Sequence, residues 1–512
     1  MTGIFCYYRK NDELKNESLE LLAENFNNLQ HRGYEITQQY KEHKWFLGVS
    51  TNRAQIPNNY TTLFQNETDE RPYFCVIDGQ IINRAELIES VSNKGYPVST
   101  INAAVYYGFQ EWGAPFFNKI QGMFSILLGN SDELAAVKDP VGFNPLYLVE
   151  TEKKIAASSE LKALKHIEGK TRILQPGAIL HYDQGVLRQK QWHIVDHFEP
   201  KDGIIKDLST IKQSLRRILE TSVKTSLNAQ GKICALLSGG IDSSVICALS
   251  QKYLDSLEAY TIVAQGSPDL EHAKKLAEMY PKIDHRLFEI DINDLLDILP
   301  DVIYHLETFD AALIRSALPM YYICSKVDPD CSVLLTGEGG DELFGGYEYL
   351  KDLSTEELNT EFKDLLTIEH ATGLQRVDRI PYAFGFEARA PWFDYNLVKF
   401  SFQVPIEYKL FQENGNVIEK YIIKETFKDV LPKGIYERKK AKFSKGVGTQ
   451  FILRDYFNRK ITDDDFKESC EVLPGLTVKN KEELYYWRTF ADLFDTDETF
   501  LKTLPRTSVF IT

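Results

Sequence analysis

One seven-residue segment, Ser238–Ser244, constrains the fold of this chain more than any other. An apolar run typical of a buried strand, Ile233–Leu237, precedes it, and Val245–Leu249 continues with the spacing of a helix face. A strand that turns through two glycines into a helix leaves unpaired backbone N–H groups at the helix start, and these bind anions. Serine hydroxyls add donors, and Asp242 suits a magnesium ion among phosphate oxygens. No Gly-Lys-Ser/Thr follows, so the segment predicts a pyrophosphate loop distinct from the Walker P-loop.

Two further glycine-containing segments follow apolar runs of the same kind. Gln265–Asp269 comes after a strand predicted at 258–264, and Thr336–Glu342 comes after a strand predicted at 331–336. In a parallel sheet, ligands bind at the carboxyl ends of the strands. Glycines let the backbone approach a nucleotide, and acidic side chains suit metal ions or amines. The three strand ends therefore predict one shared site, where Glu338 is a candidate to bind an attacking ammonium or take its proton.

Two charged segments further along the chain are candidates for the same site. Arg438–Ser444 places cations beside the turn Gly446–Gly448, where they are suited to neutralise a leaving pyrophosphate; a solvated basic face is the alternative. Glu387 and Arg389 stand in an apolar frame at 386–392. This pair predicts either a buried ion pair or a clamp for an amino-acid carboxylate.

Composition narrows the class of protein. The chain has 512 residues, of which 43% are hydrophobic and 26% are charged, as is usual for a globular protein. Its net charge of -15 argues against nucleic acid or an anionic membrane as the main partner. No segment resembles a signal peptide or a membrane span. The seven cysteines are scattered without a C-x-x-C pair, which is typical of a reduced, cytoplasmic protein.

A change of pattern divides the chain in two. Residues up to about 195 combine short β-like runs with Gly, Asn and Asp turns, which favours layered antiparallel sheets. From about residue 208 strands alternate with helices, as in a parallel sheet, and beyond about 350 the chain is mostly helical. The charged stretch His197–Asp207 is the predicted linker. We therefore predict an α/β protein with one domain at 1–197 and a second at 208–512.

Taken in order, these segments resemble the asparagine synthetase family, class B. The matching stretches run through nearly the full chain: Ser238–Ser244, Gly266–Leu270, Ile303–Thr308, Ile314–Arg315, Gly337–Gly346, Glu387–Arg389 and Lys440–Gly448. The resemblance implies an N-terminal Ntn-hydrolase-like α/β sandwich. It also implies a C-terminal parallel-sheet synthetase domain of the PP-loop, adenine-nucleotide α-hydrolase-like type, with a helical extension.

The family chemistry implies the ligands. ATP and Mg²⁺ would serve to activate the carboxylate of an amino-acid-like substrate as an acyl-adenylate, and an amine would then capture it as an amide. A homodimer is one option for the assembly. The residues that would bind ATP and pyrophosphate are Leu237, Ser238, Gly239, Gly240, Asp242, Ser243, Ser244, Val263 and Gly337.

The remaining roles follow from the same resemblance. Asp242 and Asp341 are expected to hold magnesium, and Lys440 is expected to stabilise the adenylation transition state. Arg315, Glu338 and Asp341 are the expected substrate ligands, with Glu338 where the nitrogen nucleophile approaches. The expected catalytic residues are thus Lys440, Glu338 and Asp341.

The N-terminal part departs from the family's glutaminase pattern. The family nucleophile is a cysteine that becomes the first residue when Met1 is removed, and Thr2 stands in its place. The family's Asn-Gly-Glu, which supplies an oxyanion donor and a contact to the amine of glutamine, is replaced by Asp78-Gly79-Gln80. Because an ionised carboxylate is only an acceptor, Asp78 would oppose a developing oxyanion.

Two further departures point the same way. The family's Asp-x-Glu is replaced by Ile101–Ala103, and its Pro-Asp after Arg32-Gly33 is replaced by Tyr34-Glu35. Arg53 is retained. Coordinated changes of this kind indicate a degenerate glutaminase site, with Thr2, Arg53, Asp78 and Gly79 at its former positions.

The β-lactam synthetases are one branch of the family that has lost the glutaminase, and they close a ring with an amine of their own substrate. Ala312-Leu313 stands where the asparagine enzymes have Thr-Thr before Ile-Arg, which suits a substrate longer than aspartate. Glu338 is instead asparagine synthetase-like, since the better-known lactam-forming members carry tyrosine there. A glutamine-independent amide or β-lactam ligase acting on an amino-dicarboxylate is the favoured hypothesis. The alternatives are an asparagine synthetase that uses ammonia or glutamine, and a regulatory relative without activity.

Overall fold

The computed structural model describes residues 2–10, 14, 19–33, 36–51, 63–65, 72–200, 203–263, 269–437, 449–494, 498–504 and 506. The chain divides into two units. One is Met1–Ile194 with Phe494–Leu504, and the other is Val195–Leu493 with Pro505–Thr512. Among the helices described, none is long and apolar enough to cross a membrane.

The strands of the first unit pair antiparallel throughout. They are β1 (Thr2–Arg9), β2 (Ile36–Lys41), β3 (Trp45–Thr51), β4 (Leu63–Gln65), β5 (Phe74–Ile81), β6 (Gly122–Gly129), β7 (Glu133–Lys138), β8 (Tyr147–Glu150), β9 (Lys154–Ser158), β10 (Lys170–Ile173), β11 (Ala178–Asp183) and β12 (Val186–Gln191). One six-stranded sheet has the order β10-β8-β9-β1-β3-β2, and the other has the order β12-β11-β7-β6-β5-β4.

Helices cover both outer faces of these sheets. They are α1 (Leu19–Asn27), α2 (Arg84–Ser92) and α3 (Ile101–Trp112), with short 3₁₀ turns at Gln30–Arg32, Ala114–Lys119 and Leu161–Leu164 and a last turn at Glu498–Leu501. Because strand side chains alternate between faces, Phe74 and Val76 pack in the core shared by the two sheets, whereas Cys75 and Ile77 pack in the core with α2 and α3. Gly48 leaves room for the Phe26 ring of α1 on the opposite side. The unit is a helix–sheet–sheet–helix sandwich, which confirms the predicted layered fold.

A five-stranded parallel sheet forms the centre of the second unit. Its strands are β13 (Lys232–Leu236), β14 (Leu257–Val263), β15 (Ile283–Glu289), β16 (Cys331–Leu335) and β17 (Glu387–Arg389). Their order is β15-β14-β13-β16-β17, so the direction of winding reverses between β13 and β16. That reversal opens a crevice at the carboxyl ends of the two central strands, which is where such sheets bind ligands. The parallel sheet predicted from the sequence is confirmed.

Helices surround this sheet and extend the unit beyond it. They are α4 (Leu208–Ser226), α5 (Ile241–Ser250), α6 (Asp269–Met279), α7 (Ile292–Asp297), α8 (Leu299–Leu306), α9 (Ala311–Cys324), α10 (Gly340–Phe344), α11 (Thr355–Glu369), α12 (Gly373–Tyr382), α13 (Tyr395–Ser401), α14 (Ile406–Lys409), α15 (Tyr421–Phe427) and α16 (Lys433–Tyr436), followed by helices at Thr449–Lys460, Asp463–Ser469 and Lys481–Leu493. Single 3₁₀ turns occur at Val195–Phe198, Glu348–Asp352 and Pro391–Phe393. Two small hairpins pair Phe411–Glu413 with Asn416–Ile418 and Glu471–Leu473 with Leu476–Thr477.

The Glu387–Arg389 pair belongs to the last strand of the parallel sheet. Arg389 Nε donates to Glu387 Oε1 at 2.7 Å, and Arg389 Nη1 donates to the carbonyl of Ser226 at 2.8 Å. Both charged side chains are buried. Of the two predicted alternatives, the buried ion pair is the one present.

Candidate active site

The predicted pyrophosphate loop lies between β13 and α5, at the carboxyl end of a central strand. Gly239 takes a φ of 72°, a left-handed conformation that favours glycine and turns the chain sharply. Ser238 Oγ and Ser243 Oγ share a hydrogen bond of 3.0 Å that closes the loop. The hydroxyl of Ser244 is buried and has no hydrogen-bond partner among the residues described. The loop therefore presents polar hydrogens at the start of α5, as an anion site requires.

Gly337 brings the end of β16 directly against this loop. A Cβ at position 337 would lie 2.6 Å from the backbone nitrogen of Ser243, so only glycine permits the approach. The neighbouring Thr336 hydroxyl is buried, and within the described chain it has no hydrogen-bond partner. On the other side, Val263 is buried at the end of β14, and the Leu237 N–H donates to the backbone carbonyl of Tyr260 at 2.8 Å. The three strand ends thus lie side by side, as the sequence predicts.

A cavity of about 380 Å³ opens at these strand ends. It has the size of a small-molecule site. Its walls bring together eight residues that the sequence predicts for nucleotide or substrate: Leu237, Ser238, Asp242, Ser243, Arg315, Gly337, Glu338 and Asp341. Gly239, Gly240 and Ser244 belong to the adjoining loop and helix, and Val263 ends the adjoining strand.

A buried lysine joins the two aspartates predicted to hold magnesium. Lys420 Nζ contacts Asp242 Oδ2 and lies 2.6 Å from Asp341 Oδ1. Its side chain is only 1% exposed, and its φ of 53° is unusual for a residue with a side chain. Gly346 makes room for the group, because a Cβ there would collide with Asp341 and Lys420. Sequence reasoning missed Lys420 because it stands 178 residues from Asp242 and belongs to no local motif.

Arg315, on α9, is fixed by a carboxylate from a distant helix. Its Nε lies 2.8 Å from both carboxylate oxygens of Glu482, whose side chain is 3% exposed. Tyr486 Oη donates to the same carboxylate at 2.8 Å. Arg315 therefore reaches the cavity wall with its orientation set and much of its charge balanced.

Glu338 stands among other ionisable groups that the sequence did not single out. The guanidinium of Arg376, on α12, contacts its carboxylate. Glu342 follows on α10, where burial, together with repulsion from Asp341 and Glu338, raises the pKa of its carboxyl to about 7. Burial and the proximity of Glu342 likewise raise the pKa of Glu369 well above its ordinary value. With a pKa of about 7, the Glu342 carboxyl is suited to accept a proton from an amine near neutral pH.

Some predicted residues lie outside the described part of the chain. These are Lys440 with the rest of 438–448, Arg53, and the segment 264–268. Their roles stay predictions.

In the first unit, Thr2 and Asp78, which the sequence predicts at degenerate glutaminase positions, belong to a buried network. Asp78 Oδ1 accepts the Thr2 backbone N–H at 2.6 Å, and Asp78 Oδ2 lies 3.3 Å from Arg32 Nη2. Thr2, Arg32 and Asp78 are all buried. Gly79 has a φ of 125° and lies against the Met123 carbonyl, so its backbone is held as tightly as the side chains.

A second carboxylate extends the network. Glu160 Oε1 accepts from Arg32 Nη1 at 3.0 Å, and its other oxygen pairs with Lys162 and with His31 Nε2 at 3.0 Å. Asn102 stands apart from this network, donating to the Cys75 carbonyl at 2.9 Å. The site is therefore occupied by charges of the protein itself, each facing an opposite charge.

Comparison with known proteins gives consistent matches for both parts of the chain. Residues 214–363 and 356–502 match the family described as asparagine synthase, and residues 59–166 match the one described as glutamine amidotransferase domain. An asparagine synthetase [glutamine-hydrolyzing] of Sandersonia aurantiaca is 29% identical over 447 residues, covering 83% of this chain and 84% of the relative. Asparagine synthetase B [glutamine-hydrolyzing] of Escherichia coli is 29% identical over 517 residues, covering 96% and 90%. The nodule enzyme of Pisum sativum, also named glutamine-hydrolyzing, is 28% identical over 515 residues, covering 96% and 86%.

Proposed function

We propose that this chain forms an amide without hydrolysing glutamine. The chain belongs to the asparagine synthase family and is an ATP-dependent carbon–nitrogen ligase. The carboxylate that it activates would belong to an amino-dicarboxylate of the aspartate type. The relatives are named as glutamine-hydrolyzing enzymes, so this chain would differ from them in not hydrolysing glutamine.

The hydrogen bond from Thr2 N–H to Asp78 carries this proposal. A glutaminase needs hydrogen-bond donors where the oxyanion develops, and a carboxylate there repels it. In a chain from which Met1 has been removed, the Thr2 nitrogen is an α-amine. A carboxylate at 2.6 Å favours its protonated form, which cannot take the proton from the Thr2 hydroxyl. The Asp78 carboxylate thus disfavours both the unprotonated α-amine that would act as the base and the negative charge of the oxyanion.

The residues of the ligase cavity suit ATP and magnesium. The Thr336 hydroxyl lines the cavity and lacks a partner in the described chain, so it is a donor for phosphate oxygens. Asp242 and Asp341 both reach Lys420, so their carboxylates are close enough to share one cation. Magnesium bound there would need phosphate oxygens to complete its coordination and would neutralise charge on the leaving pyrophosphate.

The proposed chemistry has two displacements. A substrate carboxylate oxygen attacks the α-phosphorus of ATP, and pyrophosphate leaves. An amine then attacks the acyl carbon, the C–O bond to AMP breaks, and the proton lost by the amine passes to Glu338 or Glu342. Loop donors and Lys440 would stabilise the charge that develops in the first step.

Two specific amines are candidates for the second displacement: an amine of the activated substrate itself, and ammonium. Intramolecular closure to a β-lactam is favoured by Ala312, which lines the cavity where a hydroxyl residue would narrow it. Formation of asparagine from ammonium is favoured by the names of the relatives and by Glu338.

Two assays test the proposal. Incubation with ATP, magnesium and labelled pyrophosphate should give exchange of label into ATP when aspartate or a longer amino-dicarboxylate is added. Incubation with glutamine alone should release no glutamate above background. Release of glutamate at a rate matching ligation would overturn the proposal, and the Thr2→Ala variant would then show whether Thr2 is responsible.

A further inference from the structure

One end of the ligase cavity carries charge that carboxylate activation does not use. Past Glu338 the wall continues through Glu342, Glu361, Asp364 and Glu369. We refer to these five carboxylates together with Arg376 as the acidic chamber.

Burial raises the pKa of the Glu342 and Glu369 carboxyls, so the negative charge of the chamber rests mainly on Glu338, Glu361 and Asp364. Its own cation, Arg376, contacts Glu338. The nearest wall cation outside the chamber, Arg315, is held by Glu482. Lys420 is engaged by Asp242 and Asp341.

A separate observation shows that the chamber is built to receive a hydrogen-bond donor. Glu342 is 3% exposed, and one of its oxygens accepts from Tyr347. Its other oxygen, Oε2, is buried without a hydrogen-bond partner in the part of the chain that the structure describes. An unsatisfied buried carboxylate oxygen is destabilising, so natural proteins keep one chiefly where a ligand supplies the donor.

The arrangement suits an organic cation better than a metal ion. Within the described ranges, no three carboxylate, imidazole or thiol side chains are grouped so that they could hold a metal. The Tyr347 and Tyr349 rings stack with their centroids 6.0 Å apart beside the carboxylates. Aromatic faces next to acidic groups favour alkylammonium ions.

The two ends of the α11 segment that lines the chamber differ in exposure. Asp364 is exposed, so the chamber reaches solvent there, whereas Glu369 is buried at the inner end. Leu365 and Ile368, which line the cavity between the two carboxylates, offer apolar surface for methylene groups.

We propose that the acidic chamber binds a linear aliphatic diamine taken directly from solution, with one ammonium group near Glu361 and Asp364 and the other delivered to Glu338 and Glu342 as the nucleophile. The proposal rests on the proposed function, because it names the amine that captures the activated carboxylate. An amine that enters the ligase unit from solvent needs no glutaminase to supply nitrogen.

The reaction balances with groups that are present. The inner ammonium transfers one proton to a chamber carboxylate and attacks the acyl carbon as a free amine. The C–N bond forms, the C–O bond to AMP breaks, and the second proton passes to a phosphate oxygen of the departing AMP as the intermediate collapses to the neutral amide. The outer ammonium takes no part and serves only in binding.

Calorimetric titration of the full chain with 1,5-diaminopentane tests the site without any reaction. We expect saturable binding that is at least about tenfold tighter than binding of n-butylamine, because the monoamine lacks the second charge. The double variant Glu361→Gln/Asp364→Asn should weaken diamine binding by about tenfold, while Glu356→Gln should not change it. Glu356 is the matched control because it is exposed on α11 and is not part of the chamber.

Equal affinity for diamine and monoamine, or unchanged diamine affinity in the double variant, would overturn the inference. Detection of the diamine amide by mass spectrometry, with a yield that falls in the double variant, would support it. Pyrophosphate exchange needs no amine, so its presence with no diamine binding leaves the proposed function standing and removes the diamine. Diamine binding without pyrophosphate exchange would support the diamine site and contradict the proposed function.

Discussion

The buried network around Asp78 and the ligase cavity around Glu342 are both rich in charged residues. They differ in whether their buried polar atoms have hydrogen-bond partners within the protein. In the first, Asp78, Arg32 and Glu160 face one another at hydrogen-bond distances. In the second, Glu342 Oε2 and the Thr336 hydroxyl are buried with no partner among the described residues.

This difference separates a site that stabilises the fold from one that awaits a ligand. A buried ion network holds its unit together only while every charge has its counter-charge. A binding site leaves groups unsatisfied and is less stable for it, so that the ligand completes it. The contrast therefore predicts opposite responses to substitution in the two places.

The largest contrast is expected in activity. Lys440→Met should lower the rate of amide formation by about 1,000-fold if Lys440 stabilises the adenylation transition state as we propose. Binding of ATP, measured by calorimetry, should stay within about twofold, since ground-state contacts remain. Thr2→Ala is the matched change in the first unit and should leave amine-dependent ligation unaltered. Equal losses of ligation activity in Lys440→Met and Thr2→Ala would contradict the expected contrast between the two units.

The next contrast is expected in stability. Arg32→Met should lower the free energy of unfolding by about 3 kcal/mol, since it leaves Asp78 and Glu160 buried without their shared cation. Denaturant titration of the full chain measures this, with Arg188→Met as the control because Arg188 is exposed on β12 of the same unit. A change no larger than that of the control would show that the network is not structural.

A smaller effect, of opposite sign, is expected for Glu342→Gln. Because the folded-state pKa of Glu342 is raised from 4.5 to about 7, folding takes up a proton between these values, and this group makes the protein less stable as pH rises through that window. The glutamine variant should therefore gain stability relative to wild type, by on the order of 2 kcal/mol, between about pH 4.5 and pH 8. Denaturation of both proteins across this range measures the difference. Glu356→Gln should give a flat difference, and a flat result for Glu342→Gln would contradict the assignment.

The smallest effect is expected for Thr2→Cys. Asp78 would still hold the nitrogen of residue 2, so glutamate release from glutamine should stay at background. Only the double change Thr2→Cys/Asp78→Asn removes the opposing carboxylate. Hydrolysis by the single variant would show that Asp78 does not restrain the site.

The parts of the fold that sequence predicts are those set by local pattern. The apolar runs at 232–237, 258–264 and 331–336 correspond to β13, β14 and β16, since fully buried strands need continuous apolar sequence. Strand β15 escaped because it lies at the edge of the sheet and most of its residues are partly or fully exposed. Strand β17 escaped because three residues are too few to give a pattern.

The site shows the same limit. Ser238–Ser244 and Glu338–Asp341 are predicted because neighbours in sequence share one loop. Lys420, Arg376 and Glu482 contact cavity residues from distant parts of the chain, and no local sequence motif marks them. The change of Asn to Asp at position 78 is legible in the sequence, but the bond that it makes to Thr2 is a matter of tertiary structure.

The contact between Gly337 and Ser243 also limits how this enzyme can diversify. The end of β16 and the start of α5 lie so close at this point that a side chain at position 337 would displace Ser243. Adaptation to a different acid must therefore begin on walls that are free to vary, such as Ala312 and Leu313 on α9. Relatives with new substrates are expected to differ there first, while the paired loops are inherited as a single piece.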